Sequence, residues 1–348
     1  MSHPTGITAN AFVASARQRL QEYLARRGQP DAELVALTPD ASTREYFRLP
    51  WPGGTAIAAV YPEPFDPEIH PYLDVTRLFA AAGLPVPEVL DVDGAQGIIV
   101  QEDLGDRQLR RVFESASEEE REAYVEHAIS LIADIQSATA LAYERDSIAS
   151  RLAFDEAKLS WELDFFFTHY FKSLRHETLK HAEAAELRAE LYDVASELAA
   201  RPRVLCHRDY HAANLIVDEH NNLRIIDHQD ARMGPASYDL VSLLLDRVIA
   251  APALSEVRER RLFFLAEREQ RALPACEPDD FAREFRLMTV QRCLKAVGTF
   301  SYQTGVAGRG ETYAQFIDPM LQIVLQAAQW LNRFPALQRA IQARALGK

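Results

Sequence analysis

One segment restricts this chain more than any other. Val204-Leu205-Cys206-His207-Arg208-Asp209-Tyr210-His211-Ala212-Ala213-Asn214-Leu215-Ile216-Val217 is followed shortly by Leu223-Arg224-Ile225-Ile226-Asp227. Two apolar stretches, Asn214–Val217 and Leu223–Ile226, flank the polar run Asp218–Asn222, and Asn221-Asn222 suits a tight bend. The pattern predicts a β-hairpin with Asn214 at the start of one strand and Asp227 at the end of the other. Antiparallel pairing then brings both side-chain oxygens to the same end. Asp209 falls on the loop that feeds the hairpin. Magnesium takes hard oxygen ligands, few of them from protein and the rest from phosphates and water. Phosphoryl transfer needs a metal on the phosphates and a carboxylate that accepts the acceptor hydroxyl's proton. His-x-Asp-x4-Asn with a distal Asp supplies those parts in order: Asp209 as catalytic base, Asn214 and Asp227 as Mg2+ ligands, ATP as donor. The plainer alternative is a polar turn in which Asp209 and Asn214 only cap backbone, and it leaves the terminal Asp227 without a task.

The rest of the chain reads as two unequal parts. An amphipathic helix over about 8–27 is followed by strands at Leu34–Leu37, Tyr46–Leu49 and Thr55–Tyr61. A helix over about His70–Ala82 ends at Gly83 with Pro85 beyond it. Val86–Asp91 and Gly97–Gln101 complete five antiparallel strands. From Arg107 the pattern is helical: Ser117-x-x-Glu120 is a capping box opening a helix to about 139, and Leu159–Phe171 and about 183–200 give two more. The expected class is α+β, a bilobal fold with a small five-stranded antiparallel sheet lobe (1–101), a hinge (102–106) and a large, mostly helical lobe (107–348).

Bulk properties close off other classes. A net charge of −13 argues against nucleic acid as a partner. No stretch approaches the roughly 20 apolar residues a membrane span needs. The three cysteines are odd in number and widely spaced, which suits reduced thiols in a cytoplasm, and His211 and His228 lack zinc-ligand spacing. A monomer acting on a small molecule is the expectation.

His207–Asn214 with Ile226-Asp227 resemble the catalytic and metal-binding motifs of aminoglycoside phosphotransferases and choline-kinase-like proteins, a branch of the protein-kinase-like fold. Asp40–Arg48, Glu102–Asp106, Ile226–Ala231, Gly234–Leu244 and Gln291–Phe300 resemble one bacterial branch more narrowly, the anomeric kinases of cell-wall amino sugars. The resemblance implies ATP-dependent phosphorylation of N-acetylmuramate and N-acetylglucosamine at C1, in peptidoglycan recycling. It also implies that Glu102, Asp103 and Leu104 form a hinge meeting adenine, and that Asp239 braces the catalytic loop through backbone amides. His207 packs and orients that loop. Asp230, Arg292 and Lys295 are the candidates for touching the sugar, the two cations suiting an anionic acceptor. Trp161, Phe165, Phe166 and Phe167 read as core.

The chain departs from the wider kinase pattern in its third strand, Thr55–Tyr61, which has no lysine for the α/β-phosphates. No lysine precedes Lys158, so Ser42, Arg44 and Arg48, at or just after the loop between the first two strands, are the expected phosphate contacts. Two alternatives stay open: an aminoglycoside, choline or other small-alcohol kinase, and a nucleotide-binding pseudokinase scaffold, which the missing lysine would suit. A protein kinase fits less well, since Gly234-Pro235 follows Asp227 too closely for a long activation loop.

Overall fold

The computed structural model describes residues 14–37, 44–248 and 250–345. Its first part is a five-stranded antiparallel sheet of order β1-β2-β3-β5-β4, from β1 (Val35–Leu37), β2 (Glu45–Trp51), β3 (Gly54–Val60), β4 (Val89–Asp93) and β5 (Ile98–Glu102). Strand alternation gives the sheet two different faces. Phe47, Leu49, Ala56, Ala58, Val60, Ile98 and Val100 pack with Leu20, Tyr23 and Leu24 of helix α1 (Ala16–Arg26) in one core cluster. Tyr46, Arg48, Ile57, Ala59, Tyr61 and Gln101 line a cleft instead. Ser15 caps α1 by accepting from Gln18 N. The helix is shorter than expected within the described residues, and β4 starts later than Val86, with a register shift between Val89 and Asp91. Helix α2 (Pro71–Ala81) lies between β3 and β4 in sequence and matches its prediction closely.

The second part is helical: α3 (Leu109–Ser115), α4 (Glu118–Ser137), α5 (Thr139–Glu144), α6 (Ile148–Arg151), α7 (Glu156–Phe166), α8 (His181–Ala199), α9 (Tyr238–Leu245), α10 (Leu254–Gln270) and α11 (Pro278–Gly305) surround two small sheets, and three further helices follow. The capping box at Ser117 and Glu120 forms as predicted. The continuous helix expected over Leu159–Phe171 instead changes character. α7 ends at Phe166 and the chain runs on as a π-helix, Phe167–Leu174. β6 (Arg203–Cys206) pairs with β9 (Arg232–Pro235), a strand the sequence did not announce, and β7 (Leu215–Val217) pairs with β8 (Leu223–Ile225) in the predicted hairpin. Its bend is built by Asp218, whose Oδ1 accepts from His220 N and Asn222 N, and by Asn221 at φ 62°. Asn214 ends a 3-10 turn (Ala212–Asn214) just before β7 rather than opening the strand. The three cysteines are free thiols, and no helix among the described residues is long and apolar enough to cross a membrane.

Candidate active site

β6 ends at Cys206 and delivers the loop 207–211 to the floor of the cleft. The loop is held from below by Asp239, in the first turn of α9. Its Oδ2 and Oδ1 accept from His207 N at 2.7 Å and from Arg208 N at 3.0 Å. Asp239 is fully buried, and burial raises its carboxyl above the usual range against those two bonds and His207. The ring of His207, also buried, bonds through Nε2 to Ile226 O at 3.0 Å, locking the loop to the strand end that carries Asp227. Arg208 (φ 88°) and Asp227 (φ 62°) are both non-glycine residues in the left-handed region, and such backbone persists only where the surroundings over-determine it.

Three oxygen-bearing side chains converge there. Asn214 Nδ2 donates to Asp209 O at 2.9 Å and to Asp227 Oδ2 at 3.3 Å. Its amide nitrogen is thereby committed, and the amide oxygen is the donor atom it offers a metal. Asp227 Oδ1 accepts from Gln229 Nε2 at 2.8 Å and lies 3.7 Å from Arg44 Nη2. One amide oxygen and one carboxylate are the hard donor set that magnesium takes when phosphates and water supply the rest. Asp209, Asn214 and Asp227 all line the cleft, a cavity of about 530 Å³ closed above by the sheet face of Tyr46, Ile57, Ala59 and Tyr61.

Asp209 is ringed by cations. Lys295 Nζ lies 3.5 Å from its Oδ1, and Arg208 Nε 3.7 Å from its Oδ2. Burial by itself pushes the carboxyl up; Lys295, then Arg208 and Arg292, outweigh it and hold Asp209 well below the usual carboxylate range. Lys295 therefore reaches from α11 to Asp209.

Other expected residues fall in places that revise their roles. Arg292 is 7% exposed, and its guanidinium donates to Tyr238 Oη at 2.9 Å and Ser242 Oγ at 2.7 Å while stacking over the Tyr238 ring. Both of its Nη atoms are thereby engaged within the fold, and its charge bears on Asp209. Asp230 accepts an ion pair from Arg208 Nη1 at 2.7 Å, with Arg232 at 3.5 Å. Arg48 does not point at the metal-binding corner: its Nε donates to Asp103 at 2.6 Å and its Nη atoms to Asp106 at 2.9 Å, so it clamps the expected hinge. Glu102 turns its carboxylate to Arg224 of β8, at 2.6 Å and 2.9 Å. Leu104 lines the cleft beside them. Arg44 is the cation of the sheet face nearest the site, held by Tyr61 Oη at 3.4 Å and packed over the rings of Tyr46 and Tyr61. Ser42 lies outside the described residues.

Phe166 and Phe167 are buried as expected, but Trp161 is 58% exposed, which overturns its placement in the core. Gln229 and Arg208 were missed as functional residues although both lie in motif stretches; their positions carried a signal and their partners did not. His211 and Arg247 also line the cleft. His228 is buried between Tyr72 and Phe79 with Nε2 bonded to Thr76 Oγ1 at 2.7 Å, and burial lowers it to about 3, so it stays neutral.

The sequence profile of the Phosphotransferase enzyme family (APH) matches residues 33–281. The N-acetylmuramate/N-acetylglucosamine kinase of Pseudomonas aeruginosa is 32% identical over 280 residues, 78% of this chain and 77% of that one. The enzyme of the same name from Neisseria meningitidis serogroup B is 30% identical over 278 residues, 78% of each. Among solved structures, the Plasmodium vivax ethanolamine kinase aligns over 96% of this chain and 92% of its own at TM-score 0.57 and 12% identity. The ADP-bound aminoglycoside phosphotransferase APH(2'')-Ib aligns over 93% and 100% at TM-score 0.55 and 17% identity. These two share the protein-kinase-like fold. With a profile covering most of its length and relatives matched along more than three quarters of theirs, the chain belongs to the phosphotransferase enzyme family and is an ATP-dependent small-molecule kinase.

Proposed function

We propose that this kinase transfers the γ-phosphoryl group of ATP to the anomeric C1 hydroxyl of N-acetylmuramate and N-acetylglucosamine, returning cell-wall amino sugars to metabolism. The observation that carries the reading is the meeting of Asp209, Asn214 and Asp227 at one end of the hairpin, on the floor of the cleft. The names of the related kinases support the choice of acceptor.

In this reading Asn214, through its amide oxygen, and Asp227 hold magnesium, which when bound neutralises charge on the phosphates. Arg44, close to Asp227 and to the sheet wall, holds phosphate oxygens in place of the absent lysine; guanidinium suits that task because it binds two oxygens at once and keeps its charge. The hinge segment Glu102–Leu104, fixed by Arg48 and Arg224, meets the adenine. Asp209 accepts the C1 hydroxyl proton as the oxygen bonds to phosphorus and the bond to ADP breaks. A base held so far below the usual range is weak, and a hemiacetal hydroxyl, being more acidic than an ordinary alcohol, asks less of it. The cations around Asp209 also disfavour a polycationic aminoglycoside or choline, and the intact triad disfavours a scaffold without turnover.

Phosphorus NMR on a panel of acceptors tests this. Phosphate should appear at C1 of both amino sugars, and none on their alditols, on choline or on kanamycin. Turnover of an alditol or of choline would leave the kinase assignment standing and remove the anomeric one.

A further inference from the structure

α7 presents two side chains that the reaction as derived leaves unused. Trp161 is 58% exposed, an unusual state for an indole. Lys158 Nζ lies 4.3 Å from the centre of that ring and 3.4 Å from Glu162 Oε1. Glu162 is itself buried, 2% exposed, and its Oε2 accepts from Gln291 Nε2 at 2.8 Å. Gln291 stands one turn before Lys295 on α11, and Lys295 reaches Asp209. A continuous row therefore runs from the base, along α11, through a buried carboxylate to an ammonium resting on an open aromatic face. The spacing of that row is rigid, because α7 and α11 meet backbone to backbone at Gly298, where a Cβ would lie 2.7 Å from Phe166 Cα.

The partners of the neighbouring cations single out Lys158. Lys158, Arg208, Arg232, Arg292 and Lys295 stand among the carboxylates Glu162, Asp209, Asp230, Asp239 and Asp246. Arg292 is committed to Tyr238 and Ser242, Lys295 to Asp209, and Arg208 to Asp230. Lys158 pairs only with a carboxylate that Gln291 also holds, and it stands beside the open indole.

We infer that Lys158 and Trp161 form the acceptor-recognition subsite, the indole receiving the apolar face of the pyranose ring and the ammonium receiving the carboxylate of an acidic amino sugar. The inference rests on the amino-sugar reading above and locates its selectivity on α7, not on Arg292 or Lys295 as the sequence alone suggested.

Specificity constants for N-acetylmuramate, its carboxamide and N-acetylglucosamine, measured on the parent, Lys158→Gln, Lys158→Arg and Trp161→Ala, test it. The muramate-to-glucosamine ratio should fall about tenfold or more in K158Q, the range of one charge-assisted contact, and largely persist in K158R. The parent should prefer the acid over its carboxamide, and K158Q should treat the two alike. W161A should raise KM for both sugars. An unchanged ratio in K158Q overturns the subsite, as does a parent indifferent between acid and carboxamide, a comparison needing no variant that folds. A parent that phosphorylates neither sugar overturns the functional reading itself, which separates the two failures.

Discussion

Asp209 illustrates how much a single residue's chemistry depends on neighbours that its motif does not name. Desolvation in the cleft would by itself push this partly buried carboxyl toward the protonated form, and here Lys295, Arg208 and Arg292 reverse the sign. A depressed value means that Asp209 stays ionised through the whole range in which an ordinary carboxylate titrates. Loss of Lys295 removes the leading cation, so the carboxyl of the variant rises. In Lys295→Met the acid limb of the kcat/KM profile is therefore expected to shift to higher pH, with a lower plateau. Superimposable acid limbs in parent and variant would take Lys295 out of that role. Asp209, Asn214 and Asp227 were legible in the sequence because their chemistry and their spacing coincide on one short hairpin. Lys295 was legible as a cation but not as a partner of Asp209, since the two stand 86 positions apart and nothing between them registers that contact.

At the level of elements, the crossing of α7 and α11 is set by a close backbone approach at Gly298. A glycine inside a helix normally costs about 1 kcal/mol relative to alanine, so an exposed Gly→Ala change would stabilise. At Gly298 the sign reverses. An added methyl would meet Phe166 Cα at 2.7 Å and Phe166 N at 2.9 Å, both backbone atoms that cannot swing aside. Gly298→Ala is expected to destabilise the fold by about 1–3 kcal/mol, the usual cost of overpacking. Urea unfolding measures it, and a gain in stability would show that the helices can separate. The strands of the first sheet were legible because short apolar runs such as Thr55–Tyr61 and Gly97–Gln101 are bounded by turn residues. The π-helix was not, because the apolar residues Phe167, Tyr170, Phe171 and Leu174 satisfy an α-helical period equally well. β9 was hidden for another reason: Gly234 and Pro235 argue against a strand, yet Pro235 sits at its last position, paired with Arg203, where a missing N–H costs little.

The two parts of the molecule meet at a segment held from both sides. Arg48 of β2 grips Asp103 and Asp106, and Arg224 of β8 grips Glu102 across 122 positions of sequence. Neither pair was foreseen, since ion pairs at such separations leave no periodic trace in a sequence. The order of a sheet-rich part before a helical one was readable, because each pattern is local. Arg48→Ala frees one side of the segment, and hinge changes tend to move KM and kcat together. A rise in KM for ATP of about two- to fivefold is expected, in line with the loss of two partly exposed ion pairs, with acceptor preference unaltered. An unchanged KM would mean that Arg224 alone suffices.

The cleft's sheet face carries Ile57, Ala59 and Tyr61 where an amine would ordinarily stand, and its nearest cation is a guanidinium. Nucleotide esters that label kinases by acylating a lysine beside the phosphates have no such target on that wall. Lys295 is the amine that reaches Asp209, at 3.5 Å. In a survey by such covalent tags, this kinase would go uncounted, or else be marked at its acceptor side, so that protection by a sugar rather than by ATP would be the sign of its presence.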